Sequence, residues 1–420
     1  MSAAVKGWCP GLLRPMLAGD GLLVRLRPPG GILGAEALAV VARAARELGN
    51  GLADLTSQAN LQLRGLTPDG AATLAQWLRP LGLVDDSAAS EARRNIVVSP
   101  LGEGDFFGSE IPSPAPAGAA SPVDLASLLR DLAAHLRDAH ELVSLPPKFT
   151  FLIDEGGPLP LGDVPASIRF EAMVGAAGPL FLVKLAGTSA TAPVVGQCAR
   201  QSLAPVAISL ARGQNPVDLQ PIAAADIPPP RATAQAQDCL RQFTIGTTHF
   251  LGALAPFGRL TAAMLAALAE VAGQTEWPVR LTPWRCVLVP LSAPADADSL
   301  GQRLARAGFI LDPSDPRARV AACVGSPACT SATTAVREDA ALFAQALSLH
   351  GGTGIALHVS GCSKGCAQQK AAPITLVARA GSYDLVLAGN AQARPQETGH
   401  TRATALLRLR EIFAEPEPVA

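Results

Sequence analysis

The sequence lacks net charge, long apolar runs and an N-terminal apolar segment. Its 34 Lys and Arg against 35 Asp and Glu leave a net charge of −1, which argues against electrostatic binding of nucleic acid or an anionic membrane. No stretch reaches the roughly 18 apolar residues that a membrane span needs, and residues 1–21 lack the apolar core of a signal peptide. We therefore expect a cytoplasmic protein that binds neither membrane nor nucleic acid.

What the chain does have is enough apolar material for several folded domains. It has 420 residues, of which 49% are hydrophobic and 16% charged, and this composition excludes a largely disordered chain. The length predicts two to four domains. Eight cysteines are present, and in a reducing cytosol clustered cysteines are more often metal ligands or catalysts than disulfides.

A β-turn-α-β pattern occurs twice. The first copy predicts a strand, a Pro-Gly turn, an amphipathic helix over 35–48 and a strand over 56–64. In the second copy, Gly258-Arg259-Leu260 corresponds to Gly31-Ile32-Leu33, and Thr261 is a candidate N-cap of a helix that reaches Val271. We interpret the pattern as an internal duplication, with a chance similarity of two ordinary units as the alternative.

Four cysteines form two close pairs. Five residues separate Cys323 from Cys329, and three separate Cys362 from Cys366. Zinc sites usually space paired ligands by two to four residues, whereas loops of this size reach the corners of a cubane iron–sulfur cluster. The pattern favours a cluster and leaves zinc as an alternative. The scattered cysteines are interpreted as buried apolar residues: Cys9, Cys198, Cys239 and Cys286.

The two cysteine pairs and the duplication resemble the sulfite and nitrite reductase family. The resemblance implies an α+β fold with duplicated ferredoxin-like half-units and two larger α/β domains. The implied domains are half-units at 15–75 and 240–295, an α/β domain at 86–225 and a cluster-bearing domain at 300–395. It also implies a 4Fe-4S cluster held by Cys323, Cys329, Cys362 and Cys366.

Three further segments resemble parts of that family's tetrapyrrole pocket. These are residues 56–62, Arg94-Asn95-Ile96, and Leu145-Pro146-Pro147-Lys148-Phe149. Arg binds carboxylates in a bidentate manner and Lys as a point charge, which suits a tetrapyrrole rimmed with carboxylates. The candidate tetrapyrrole-binding residues are Asn60, Gln62, Arg64, Arg94 and Lys148.

The chain also departs from the reductases. Gln58 stands where the reductases carry an Arg, and Thr150 stands where sulfite reductases carry a Lys. Around the second cysteine pair, residues 360–367 read Ser-Gly-Cys-Ser-Lys-Gly-Cys-Ala, whereas the reductases typically have C-P-N-x-C. Multi-electron reduction of sulfite or nitrite needs several cations around the small anion. The loss of two of them disfavours that chemistry.

One branch of the family, the precorrin-3B synthases, is more similar. Shared segments include residues 54–57, residues 60–65 and His358-Val359-Ser360-Gly361-Cys362. The resemblance implies an oxidoreductase of cobalamin (vitamin B12) biosynthesis. As a monooxygenase, it would use O2 to hydroxylate a meso carbon of a precorrin-3A-like tetrapyrrole, with lactone formation.

The implied cofactors and partners follow from that branch. They are the 4Fe-4S cluster and a further non-haem iron. A separate NAD(P)H-dependent electron donor is expected because no G-x-G-x-x-G follows a strand and no flavin signature is evident. The six histidines show no two-His-one-carboxylate pattern, so no ligand of a second iron and no catalytic residue is identified. His358 is expected to donate a hydrogen bond to the cluster loop. The alternatives are a sirohaem-dependent sulfite or nitrite reductase and a non-enzymatic iron–sulfur carrier.

Overall fold

A computed structural model describes residues 8–102, 125–175, 178–275, 277–349 and 354–414. In chain order, the strands of these residues are β1 (Met16–Ala18), β2 (Gly21–Leu26), β3 (Ile32–Leu33), β4 (Leu52–Leu55), β5 (Leu61–Leu66), β6 (Ile96–Val98), β7 (Phe151–Asp154), β8 (Ala166–Gly175), β9 (Gly178–Gly187), β10 (Val194–Ala199), β11 (Gln242–Ile245), β12 (Thr248–Leu254), β13 (Arg259–Thr261), β14 (Val279–Leu281), β15 (Cys286–Leu291), β16 (Val320–Ala322), β17 (Leu357–Ser360), β18 (Ala372–Arg379), β19 (Ser382–Gly389) and β20 (Glu397–His400). The α-helices are α1 (Ala35–Glu47), α2 (Pro68–Leu78), α3 (Ala88–Arg93), α4 (Leu125–Asp138), α5 (Leu203–Ala211), α6 (Ala262–Ala272), α7 (Ala297–Ala307), α8 (Val336–Phe343) and α9 (Arg402–Ala414).

Two antiparallel sheets exchange a strand with each other. Sheet 1 has the order β1-β2-β5-β4-β13, and sheet 2 has the order β11-β12-β15-β14-β3. We call β1–β5 the first half-unit and β11–β15 the second. Strand β13 of the second half-unit pairs with β4, and β3 of the first pairs with β14. Helices α1 and α6 pack in one core shared by both half-units, so the two repeats form a single body.

The predicted duplication is confirmed by matching backbone conformations. The turn before β3 has positive φ at Gly30 and Gly31 (61° and 72°), and the turn before β13 has it at Phe257 and Gly258 (54° and 75°). Only a residue without a Cβ adopts this region at little cost, so Phe257 is held there by its context. The predicted N-cap is confirmed too, since the Thr261 hydroxyl accepts the Met264 N–H.

Sheets 3 and 4 also share one topology. Sheet 3 has the order β10-β9-β8-β7-β6 and sheet 4 the order β16-β17-β18-β19-β20. In both, the first three strands in chain order are parallel and the last two antiparallel. The duplication therefore extends beyond the half-units. Strands β16 and β17 correspond to β6 and β7, and their carboxyl ends lead into the two cysteine loops.

One predicted strand is wrong at its start. A strand was expected over 56–64, but residues 56–60 form a turn and β5 begins at Leu61. The Thr56 hydroxyl accepts the N–H groups of Gln58 and Asn60, and Ala59 has a φ of 53°. A Thr side chain that satisfies nearby backbone N–H groups competes with a sheet ladder in this way.

No helix within the described ranges has the length and apolarity that a membrane crossing would require.

Candidate functional site

The two cysteine loops start side by side at one edge of sheet 4. Cys323 follows β16 directly, and its N–H donates to the Val359 carbonyl of the adjacent parallel strand β17. The Gly361 N–H in turn donates to the Cys323 thiol at 3.2 Å. Carboxyl ends of neighbouring parallel strands commonly form ligand sites, and here they bring both cysteine pairs together.

The four thiols influence one another electrostatically. Burial raises the pKa of Cys323, and the Cys366 and Cys329 thiols add to that rise. Burial likewise raises the pKa of Cys366, with further upward contributions from Cys362 and Cys329. Because like charges act this way only when they are near, all four predicted ligands face one region. All eight cysteines of the chain are described, and none forms a disulfide.

The donor set consists of four thiols in two loops, and thiolates are the ligands that iron–sulfur clusters take. Within the residues that the structure describes, no three His, Cys, Asp or Glu side chains lie close enough together to hold one metal ion. Ligands of a cubane are spread over its corners and lie farther apart than the ligands of zinc. Glycine also lets the two loops pack closely, because a Cβ on Gly361 would lie 2.6 Å from the Ala332 Cβ. A further iron has no assigned ligand among these residues.

A buried carboxylate joins the half-units to the cysteine-bearing region. Asp54 on β4 is 4% exposed, and its carboxylate lies 2.6 Å from Arg337 of α8, 3.3 Å from Arg259 of β13 and 3.6 Å from Arg64 of β5. Burial raises the pKa of Asp54, but the three guanidinium groups outweigh burial and leave the pKa below its usual value. We call these four residues the Asp54 node.

Arg285 adds a cation on the cluster side of this node. Its Nη2 donates to the Ala367 carbonyl, directly after Cys366. Burial lowers the pKa of Arg285 to about 10, with Arg337 as the next cause, while Cys323 acts in the opposite direction. Sequence reasoning missed Arg285, Arg259 and Arg337. The repeat offered one signal for Arg285, because it occupies the position in the second copy that corresponds to Ala59 in segment 56–62 of the first. The structure agrees with this correspondence, since both residues have positive φ.

The candidate residues on β5 are engaged by the protein itself. Gln62 accepts from Arg25 at 2.9 Å, and Arg64 grips Asp20 with two hydrogen bonds of 2.9 Å while reaching the Ala328 carbonyl beside Cys329. As predicted, their side chains share the sheet face opposite Leu61 and Leu63, which are in the core. Arg64 therefore anchors a cysteine loop to sheet 1.

Asn60 and Arg94 line one small cavity, together with Arg27 and Gly30. Arg94 donates to both oxygens of Asp85, at 3.0 and 2.7 Å, and to the Arg27 carbonyl. Asn60 is 4% exposed, and its side-chain nitrogen has no partner in the described part of the chain. A buried amide that lacks a partner is costly. Of the two candidates at this cavity, Asn60 therefore has a donor nitrogen available for a hydrogen bond to a ligand.

The two departures from the reductase pattern contact each other. Gln58 Nε2 donates to the Thr150 hydroxyl at 2.8 Å, and Asn95 Nδ2 donates to the same oxygen at 2.8 Å. Thr150 donates onward to the Lys148 carbonyl at 3.0 Å. The Thr150 oxygen thus uses its donor and both acceptor positions. We call Gln58, Asn95 and Thr150 the neutral triad.

Lys148 is exposed but lies near the cysteine site. Its ammonium group is among the groups that lower the pKa of Cys366, against the larger upward effect of burial. The structure therefore brings Lys148, the neutral triad and Cys366 to one region. It places Arg94 and Asn60 in the neighbouring cavity and turns Arg64 toward Asp20 and Asp54.

Comparisons with known proteins agree with this architecture. The model of the nitrite/sulfite reductase ferredoxin-like half domain matches residues 14–81 and 244–307. A precorrin-3B synthase from a Sinorhizobium species is 33% identical over 411 residues, covering 93% of this chain and 84% of that protein. A ferredoxin–nitrite reductase from Synechococcus elongatus is 30% identical over 154 residues, covering 36% and 27% respectively.

A solved structure matches most of the fold. The NirA protein of Mycobacterium tuberculosis superposes with a TM-score of 0.69 at 17% identity, over 91% of this chain and 78% of that one. The predicted α+β class with duplicated ferredoxin-like half-units is confirmed. The boundaries expected for the four domains stay predictions.

Proposed function

Because the chain belongs to the precorrin-3B synthase family, we propose that it hydroxylates a meso carbon of a precorrin-3A-like tetrapyrrole in cobalamin biosynthesis. In this reaction one atom of O2 enters the product and the other leaves as water. The two electrons and two protons that this requires come from a separate NAD(P)H-dependent donor. The carboxylate of a ring acetate then adds to a carbon of the macrocycle to close a lactone. Because this addition moves protons but releases no water, the product gains one oxygen atom overall.

The neutral triad is the observation that carries this choice within the wider family. A site that reduces sulfite or nitrite must stabilise a small anion and its growing charge with cations. Here Gln58, Asn95 and Thr150 form an uncharged hydrogen-bonded network that ends on the Lys148 carbonyl, while the Lys148 ammonium lies near Cys366. Such a wall suits an uncharged co-substrate such as O2 better than a small anion.

The cysteine site supports a redox role. Cys323, Cys329, Cys362 and Cys366 would hold a 4Fe-4S cluster, which supplies one-electron transfer when bound. The Gly361 N–H donates to the Cys323 sulfur, a type of contact that adjusts cluster potential. A further non-haem iron is part of the proposal without an assigned ligand.

The substrate side of the proposal rests on charge and unmet hydrogen bonding. Lys148 and Arg94 would meet ring carboxylates, and Asn60 would direct its unpartnered amide to the macrocycle. Gln62 would assist through Arg25. Arg64, already bonded to Asp20, would act indirectly by fixing the loop at Ala328. We also propose a cytoplasmic, reducing environment, in keeping with eight unpaired cysteines.

Cofactor extraction distinguishes this function from a sirohaem-dependent sulfite or nitrite reductase. We expect the purified protein to show a broad cluster shoulder and to release no tetrapyrrole into acid–acetone. Stoichiometric extractable sirohaem, together with methyl viologen-dependent reduction of sulfite or nitrite, would contradict the proposal. A protein that carries only a cluster and has no activity on the tetrapyrrole would favour an electron carrier.

A further inference from the structure

His358 is a fully buried imidazole whose hydrogen bonding is unmet. It is 0% exposed on β17, and within the described residues neither Nδ1 nor Nε2 has a hydrogen-bond partner. The hydrogen bond expected from His358 to the cluster loop is therefore not made to any protein atom of the described residues. An imidazole always carries at least one N–H, and leaving such a donor unpaired in the interior costs free energy.

The imidazole lies on the same face of sheet 4 as the cysteine loop's backbone. Its strand neighbours Leu357 and Val359 lie in the core with α8 and α9, so alternation directs His358 to the opposite face. There it meets Gly365: a Cβ added at this glycine would stand 3.6 Å from the His358 Cε1. Gly365 also has a φ of 58°. Because Gly365 has no side chain, the imidazole ring can approach the loop closely just before Cys366.

Burial, helped by one neighbouring cation, keeps His358 neutral. Burial lowers the pKa of His358 to about 4, and Arg285 contributes in the same direction. A neutral ring has one donor nitrogen and one acceptor nitrogen. The loop segment that the ring meets lies between Cys362 and Cys366, so the acceptor that a bound cluster would offer to that donor is sulfur. The Cys323 sulfur already accepts from the Gly361 N–H in the same way.

We propose that His358 donates a hydrogen bond to a sulfur of the iron–sulfur cluster and thereby raises its midpoint potential. The inference rests on the proposed cluster and extends it to a positioning residue. Hydrogen bonds to cluster sulfurs stabilise the more negative, reduced state, and second-layer donors are known to adjust metal centres in this way. His358 is not proposed as an iron ligand, since no ligand group for one ion includes it among the described residues.

The test is a potentiometric titration of the cluster-loaded full-length chain, followed by visible and EPR spectra. His358→Leu removes the donor at similar size, and we expect it to keep the wild-type iron content while its midpoint potential shifts to a lower value. His358→Gln keeps a donor and should recover part of the shift. Thr375→Val is the matched control, because Thr375 neighbours His358 in register and its hydroxyl is satisfied by the Gly389 carbonyl.

The outcomes separate this inference from the proposed function. An unchanged midpoint potential in His358→Leu would overturn the inference about His358. A loss of iron in this variant would overturn it too, because His358 would then act as a ligand. If that variant does not fold, wild type is prepared with 15N-labelled histidine rings. A coupling between a ring nitrogen and the reduced cluster in pulsed EPR then supports the inference, and the absence of such a coupling overturns it. A chain that holds no cluster overturns both proposals, whereas a shifted potential without tetrapyrrole conversion overturns only the function.

Discussion

The Asp54 node predicts a large loss of stability from a change of one atom. Asp54→Asn keeps the shape of the side chain but removes the negative charge that faces Arg64, Arg259 and Arg337. Three guanidinium groups would then remain close together without the carboxylate between them. Breaking a buried ion pair by removing one partner costs about 3–5 kcal/mol, and two of these arginines have a nitrogen without a partner already.

The size of the effect follows from burial. Asp54 is 4% exposed, so water cannot replace the missing charge. Glu47 offers a matched control because its carboxylate also contacts two arginines, Arg43 and Arg46, but on the surface. Exposed pairs of this kind contribute little since solvent screens them. Glu47→Gln should therefore leave stability nearly unchanged.

Urea unfolding of both variants measures the difference. We expect the free energy of unfolding of Asp54→Asn to fall by about 3–5 kcal/mol relative to wild type, and the Glu47→Gln curve to overlay the wild-type curve. The node also joins the half-units to α8, so the loss should appear in the transition that unfolds the half-units. A decrease for Asp54→Asn no larger than that of Glu47→Gln would refute the reasoning that this carboxylate neutralises a buried cationic group.

Three further predictions concern the cluster, the neutral triad and His358. Cys362→Ser should lose iron and the visible cluster absorbance, whereas Cys198→Ser, in the core of sheet 3, should keep both; full iron in the first variant would contradict the ligand assignment. Gln58→Ala and Thr150→Val should couple by about 1 kcal/mol in a double-mutant cycle of unfolding, and strictly additive costs would show that their hydrogen bond contributes nothing. The folded pKa of His358, lowered to about 4, means that the unfolded chain binds the extra proton first. The stability that the neutral ring of His358 contributes is therefore complete above about pH 6.5 and is lost as the pH falls toward 4, by about 3 kcal/mol in all. In His358→Gln the free energy of unfolding should depend less on pH in this range. An unchanged slope would argue against a neutral buried ring.

Local patterns in the sequence predicted much of this architecture. Helix α1 was expected over 35–48 and spans Ala35–Glu47, because its apolar residues repeat at helical spacing. The repeat was visible for the same reason, since each copy keeps a turn followed by a helix of apolar residues at helical spacing. The strand exchange between β3 and β14 was not visible. A strand of two residues carries no period of its own, and its partner is set by packing more than 200 residues away.

The candidate site likewise has parts that local sequence patterns predict and parts that they do not. The cysteine pairs could be recognised because both spacing and loop glycines are local signals, and they converge in the structure. The roles of Arg64 and Arg94 could not be anticipated, because Asp20 and Asp85 become their partners only in the folded chain. In the sequence, Gln58 and Thr150 each indicate only that a cation of the reductases is replaced by a neutral residue. Their direct contact emerges only when sheets 1 and 3 are assembled.

The most direct measurement of the central claim is the mass of the tetrapyrrole product formed under isotopically labelled dioxygen. The cluster-loaded chain, a reduced-nicotinamide-dependent electron donor and precorrin-3A would be incubated together and the product analysed by mass spectrometry. The account predicts a gain of one oxygen atom that carries the label, and no conversion without dioxygen. An unchanged tetrapyrrole, or an added oxygen atom that comes from water, would contradict it.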